Sequence, residues 1–280
     1  MCWRCLSPPD GRPPLSRRSF ATGALSVAAA QSIDPGCFPA ARDDLVEPRV
    51  SMVIPPGTQR TVALTLDACS GAADMRIIDT LLALSIPATI FVTGLWLRSN
   101  GATLDLLRAR PDLFSLQNHG ELHLPPILGT RRIYGLPVAG TLDAIHREVE
   151  RGADAVAATG AARPAWYRAA AGIYSPAAIS LIESMDVRIA GYSLVADEGA
   201  SLPAAPVAHR IAAAVSGDVI IAHVNQPHRP SGAGVAAGAT ELHKAGTAFV
   251  GLDAFPMTAL RCRPIATPAA RVSRWTYTTA

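Results

Sequence analysis

Lysine is nearly missing from this chain: Lys244 is the only one among 280 residues, and arginine carries the rest of the basic charge. That scarcity argues against a lysine Schiff base and a phosphate-cradling GK[ST] loop, and no G-x-S-x-G elbow is present to support a serine hydrolase. Aromatic residues make up 5% and charged residues 17%, but a hydrophobic fraction of 49% is too high for a disordered chain and implies one ample core. No apolar run approaches the roughly twenty residues a membrane-spanning helix needs. Cysteine is sparse too, with Cys2, Cys5, Cys37, Cys69 and Cys262 the whole supply.

What is present begins with an export pattern. Ser16-Arg17-Arg18-Ser19-Phe20 is a twin-arginine core, residues 21–30 are a short apolar run, and Ala28-Ala29-Ala30 offers small residues for cleavage. Residues 1–30 are therefore expected to be a twin-arginine-type signal peptide and the mature protein to be exported, periplasmic or extracellular. Without them the counts fall from 25 basic and 22 acidic residues to 21 of each, so the net charge of +3 belongs to the signal. No basic field remains to attract nucleic acid. The Cys2–Cys5 pair lies inside the signal and reads as incidental, whereas Cys37 and Cys262 could bridge in an oxidising compartment.

The remainder alternates between strand and helix patterns. TVALTLD (61–67), PATIFVTG (87–94), FSLQNHG (114–120), AWYRAA (165–170), VRIAGYSL (187–194), GDVIIAHV (217–224) and AFVGL (248–252) are mostly continuous apolar runs, as expected of parallel strands buried on both faces. Helical patterns at 75–85, 104–112, 140–160, 175–185, 206–216 and 232–246 separate them. Seven strands and six helices predict a parallel α/β architecture, doubly wound or barrel. Residues 31–60, interrupted by Pro35, Pro39, Pro48, Pro55 and Pro56, read as an N-terminal arm. Residues 61–255 read as the catalytic domain and 256–280 as a C-terminal tail.

Polar residues collect where these strands end: Asp67, His119, Arg168 and His223, with Asp197 just past the fifth strand. In parallel α/β folds all C-terminal strand ends share one face, and in barrels that face carries the active site. In FSLQNHGELHLPP, His119 and His123 have an H-x-x-x-H spacing that can turn both imidazoles to one side, as metal ligands. Asp67 follows VALTL, where a buried acid requires a cation, a strong donor or water. Arg168 and Asp197 are expected to form an ion pair that orients the acid, and His223 to serve as a proton donor. Trp96, Trp166 and Tyr192 could stack on sugar rings. GAGVAAG (232–238) is a poor dinucleotide turn, being G-x-G-x-x-x-G and set off from its strand by a proline-containing segment.

LTLDACSG, NHGELHLPP, WYRAAAG, GYSLVADEGA and IIAHVNQP follow the order and approximate spacing of the five motifs of polysaccharide deacetylases, the carbohydrate esterase family 4 enzymes, and the chain resembles that family over roughly residues 60–255. The resemblance implies a distorted (β/α) barrel of about seven parallel strands, a divalent metal (zinc first, with cobalt or nickel as alternatives), and hydrolysis of N- or O-acetyl groups on a polysaccharide or peptidoglycan. It also implies Asp67 as general base, His119 and His123 as metal ligands, Arg168 and Asp197 as orienting residues, and His223 as general acid.

Several positions depart from the family pattern. The second of its paired aspartates, a metal ligand, is Ala68 here, so either Asp67 becomes the ligand or another carboxylate does; the resemblance offers Asp74 as that carboxylate, and Cys69 reads as a small buried residue beneath the site rather than a soft ligand. The residue after the first histidine is Gly120 instead of Ser or Thr, and the third-motif prolines are Ala169 and Ala170. Two other classes stay compatible with the loss at position 68: a metal-independent amide hydrolase on the same scaffold, and a catalytically silent carbohydrate-binding protein.

Overall fold

Along the run TVALTLDA the side chains of Val62, Leu64, Leu66 and Ala68 turn to one side and those of Ala63, Thr65 and Asp67 to the other, and all of them are buried. Double-sided burial requires a strand inside a sheet covered on both faces. In the computed structural model, which describes residues 45–260 and Pro264–Ile265, this run is the central strand β1 (Thr61–Ala68). The sheet continues with β2 (Ala88–Val92), β3 (Phe114–Asn118), β4 (Trp166–Tyr167), β5 (Arg188–Ile189), β6 (Leu194–Val195) and β7 (Val219–His223). Their spatial order is β6-β7-β1-β2-β3-β4-β5, every neighbouring pair is parallel, and a short β8 (Ala248–Phe249) pairs with the start of β1.

The two ends of that order belong to one passage of chain. The run 187–194 expected as a single strand is split: β5 pairs with β4, β6 pairs with β7, and Ala190–Ser193 carries the backbone from one edge to the other. Ala190 N–H donates to the Tyr167 carbonyl and Ser193 N–H to the Val219 carbonyl, so the sheet curls round into a distorted (β/α) barrel. Helices α1 (Met75–Leu84), α2 (Gly94–Ser99), α3 (Gly101–Arg108), α4 (Leu142–Ala158), α5 (Pro176–Ser184), α6 (Ala204–Ala212) and α7 (Ser231–Lys244) follow the strands. The outer core lies between helices and sheet, with Ile78, Val207 and Val235 over Leu64, Ile90 and Ile220. The smaller inner core holds Ala63, Phe91, Tyr192 and Ile221.

Two further sequence expectations change. The second strand stops at Val92, because the Thr93 hydroxyl accepts from Trp96 N–H and caps α2, a helix absent from the periodicity. The helix expected at 104–112 begins earlier, at Gly101. Within the arm, short strands add to what the sequence suggested: Val50–Met52 pairs antiparallel with Met257–Ala259 of the tail and Leu45–Val46 with Pro264–Ile265. The expected signal peptide (1–30), Cys2, Cys5, Cys37 and Cys262 lie outside the described residues.

GAGVAAG proves to be part of α7. Its glycines serve packing rather than a nucleotide: a Cβ on Gly234 would run into the Ala204 carbonyl, and one on Gly238 would sit 2.7 Å from Cβ of Ile211 on α6. Gly234→Ala should therefore destabilise the protein in urea unfolding, although alanine is intrinsically better in a helix by about 1 kcal/mol. A stabilised Gly234→Ala variant would show that α6 and α7 have room to spare.

Candidate active site

The alternation along β1 decides what the barrel face receives. Ala68 is turned into the outer core, so Asp67 and, one residue past the strand, Cys69 are the positions that reach the inner side. His223 ends β7 in direct register with Asp67, and Arg168 follows β4. The loop between β1 and α1 is clamped at several points: the Thr93 hydroxyl donates to the Cys69 carbonyl at 2.5 Å, and the Asn225 amide to the Ser70 carbonyl at 2.5 Å. Asn100 bonds both the Gly71 carbonyl and the Ala73 N–H.

The expected Arg168–Asp197 ion pair does not form. Arg168, entirely buried, donates from Nη1 to Asp67 Oδ1 at 2.8 Å, and its guanidinium stacks on the Phe91 ring at 4.2 Å. Asp197 instead takes His223, whose Nδ1–H donates to Oδ1 at 2.9 Å while its backbone N–H donates to Oδ2 at 2.7 Å. The pairing follows from the split fifth strand: β6 lies beside β7, which brings Asp197 to the His223 side and leaves Arg168 free to face β1.

His119 Nδ1 donates to the Arg168 carbonyl at 2.8 Å, which leaves Nε2 as the lone-pair nitrogen; it faces Cys69 Sγ at 3.6 Å and Asp67 Oδ2 at 3.8 Å. The ring of His123 lies 4.9 Å from that of His119, edge to face. Its backbone sits at φ 61°, within a turn that Glu148 organises. This carboxylate, buried on α4 and missed in the sequence, accepts from the N–H groups of Leu122 and Leu124 on either side of His123, at 2.9 and 3.1 Å. The only signal for it was an acid on the apolar side of a helical pattern. Gly120 is explained by the same contact: at φ 88° it packs so that a Cβ would meet Glu148 Oε1. Ala169 is explained similarly, because its N–H donates to the Tyr174 hydroxyl at 2.9 Å, a bond proline cannot make.

Asp74 is not at the centre. It caps α1 by accepting from Arg76 N–H and is held by the Arg76 guanidinium at 2.8 and 2.5 Å. Cys69, read as a residue beneath the site, is instead within it. Among the described residues, the group of three or more His, Cys, Asp or Glu side chains with all ligand atoms within 4.8 Å of one another is Cys69, His119 and His123. Trp96, Trp166 and Tyr192 are buried, with Trp166 under Arg188 and hydrogen-bonded to Asp253, so none presents a free face for a sugar ring.

Electrostatics shifts Asp67 and His223 in opposite directions. Burial pushes the Asp67 carboxyl up, but Arg168, His119 and His223 overcome it and hold its pKa below the usual 3.8. Burial pulls His223 down, and Asp197 reverses that, setting its pKa well above 6.5. Burial also pulls His119 down, with Asp67 and Cys69 raising it above 6.5. The Cys69 thiol, pushed up by burial, is brought well below 9.0 by His123, His119 and His223. The shifts thus favour the charged form of Asp67 and of His223, each through its own partner.

The sequence profile of the family described as polysaccharide deacetylase matches residues 55–190. Solved structures share the fold. A family 4 carbohydrate esterase from Streptomyces lividans, in complex with acetate, is 18% identical with a TM-score of 0.54, over 69% of this chain and 92% of its own. Peptidoglycan deacetylase PdaC from Bacillus subtilis is 20% identical with a TM-score of 0.56, over 71% and 90%. A CE4 family pseudoenzyme from Bacillus anthracis is 14% identical with a TM-score of 0.53, over 69% and 64%. Comparison with curated protein sequences gives no match.

Two outcomes follow from this geometry. The raised pKa of His223 means that its bond to Asp197 contributes fully below pH 6.5 and is lost as pH rises through the folded-state value. Asp197→Asn should move the His223 titration, read by NMR, down by about one unit or more; an unmoved titration would exclude Asp197 as the cause. Glu148→Ala, which removes the acceptor of two partly buried N–H groups, should cost about 1–3 kcal/mol in denaturant unfolding. Glu148→Gln keeps an acceptor and should lose much less, so equal losses would argue against the N–H contacts.

Proposed function

We propose that this chain, whose residues 55–190 match the polysaccharide deacetylase profile, is a hydrolase of non-peptide carbon–nitrogen bonds that removes acetyl groups from an exported or cell-wall polysaccharide such as peptidoglycan, with a divalent ion held by His119 and His123. The observation that carries this reading is the pair of separately supported charges on adjacent strands, Asp67 with Arg168 and His223 with Asp197, beside a cluster of metal-ligating side chains. The donor set fits such an ion. His119 has one ring nitrogen fixed on a carbonyl and the other turned to the cluster, the arrangement that orients a metal-binding imidazole. Bound there, the ion would supply Lewis-acid polarisation and make water acidic near neutrality.

The remaining work falls to the chain. Asp67, ionised and oriented by Arg168, takes a proton from the attacking water. The water oxygen bonds to the acetyl carbon, and the carbon–nitrogen bond breaks as electrons return to the carbonyl. His223, protonated and fixed by Asp197, donates its proton to the departing nitrogen, so an amide and water become acetate and an amine. Burial of Arg168 and Asp197 keeps both orienting groups away from competing water. Export follows from the proposed substrate and the twin-arginine pattern; among the described residues no helix is long and apolar enough to cross a membrane.

The test is acetate release from chitooligosaccharide and from peptidoglycan. Wild-type protein should release acetate from at least one, with His223→Ala and Asp67→Asn each lowering kcat by roughly 10²–10⁴-fold. Glycan binding without acetate release, unchanged by His223→Ala, would mark a silent binder. Full activity after exhaustive chelation would support the metal-independent amide hydrolase.

A further inference from the structure

We propose that the ion's third protein ligand is the thiolate of Cys69, making a two-imidazole, one-thiolate centre where the family motif supplies a carboxylate. This rests on the reading that His119 and His123 hold an ion. The strand geometry carries the first part of the case. Position 68 is turned into the outer core, and Cys69 is the next residue on the Asp67 side. Its backbone is fixed by the Thr93 hydroxyl on its carbonyl and by Thr93 N–H on the Ala68 carbonyl.

Distances carry the second part. With metal–sulfur and metal–nitrogen bonds of about 2.3 and 2.0–2.1 Å, tetrahedral angles separate sulfur from nitrogen by roughly 3.5 Å. Cys69 Sγ lies 3.6 Å from His119 Nε2, the nitrogen left unoccupied by the Arg168 carbonyl. A thiol–imidazole hydrogen bond would account for that one separation, but not for His123 completing a set whose ligand atoms all lie within 4.8 Å.

Elimination carries the third. Asp74 is bound by Arg76, Asp197 by His223, and Glu148 by the Leu122 and Leu124 N–H groups; Asp67 has Oδ1 on Arg168 and brings Oδ2 to 3.8 Å from His119 Nε2, yet it is outside the set whose ligand atoms all lie within 4.8 Å. No carboxylate completes the cluster among the described residues. A thiolate makes the centre softer, favouring zinc or cobalt over magnesium, calcium or manganese, and three protein ligands leave one position for reacting molecules.

The experiment is cobalt titration of the chelator-stripped full chain, read by absorption. Wild-type protein should bind one cobalt with a near-ultraviolet thiolate charge-transfer band. Cys69→Ser should lose the band and bind cobalt at least about tenfold more weakly, a loss no smaller than that usual for altered outer-shell partners. Cys37→Ser and Cys262→Ser should keep it. Cobalt bound by wild type without the band, or the band intact in Cys69→Ser, would overturn thiolate ligation and leave the ion itself standing. No cobalt uptake by wild type would overturn both ligation and the ion, while acetate release would still judge the deacetylase reading. Should Cys69→Ser fail to fold by circular dichroism, cadmium NMR of wild type decides: a sulfur-ligated shift sustains the proposal, and a nitrogen–oxygen shift overturns it.

Discussion

A guanidinium that is wholly buried imposes the strongest constraint on this molecule. Arg168 has no water to solvate it, so its charge must be met by protein, and it is met from several sides: the Asp67 carboxylate, the Ala190 and Gly191 carbonyls, and the Phe91 and Tyr192 rings. Removing one partner of such a pair leaves an uncompensated charge, at a cost of about 3–5 kcal/mol. The chain from Ala190 to Ser193 is the same passage that closes the sheet, so barrel closure and the environment of Arg168 are one structural event. The arm takes part as well, because the Tyr192 hydroxyl donates to Glu47 at 2.6 Å and Arg49 lies over the same ring.

From that centre the site is built outward by register. Asp67 and His223 are neighbours because β1 and β7 pair in parallel, and each brings its own counter-charge from a different strand end. Because the couplets are separate, Arg168 lowers the pKa of Asp67 while Asp197 raises that of His223, so the two groups are shifted in opposite directions. The imidazole of His119 joins the two halves, touching the Arg168 backbone on one nitrogen and facing Cys69 and Asp67 on the other.

Much of this was legible in the residues. Continuous apolar runs identified the parallel strands, and polar residues at their ends marked the face. Less legible was anything set by a partner distant in sequence. The Arg168–Asp197 expectation failed because two short strands at opposite edges look like one long apolar run. Asp74 resembled a spare carboxylate because its use as a helix cap, bound by Arg76 two residues on, depends on loop conformation. The position of Cys69 follows from β1 once its end is known, because alternation places it beside Asp67 on the inner side. Glu148 was missed because an acid in an amphipathic helix is ordinarily solvated, and only the fold shows two N–H groups waiting for it.

The account stands or falls on whether the closed face gathers an ion between the histidines. An anomalous-difference map at the zinc edge, from crystals of the zinc-loaded chain, tests that most directly. The account predicts one strong peak bounded by Cys69, His119 and His123; a peak at Asp74, or none at saturating zinc, would contradict it.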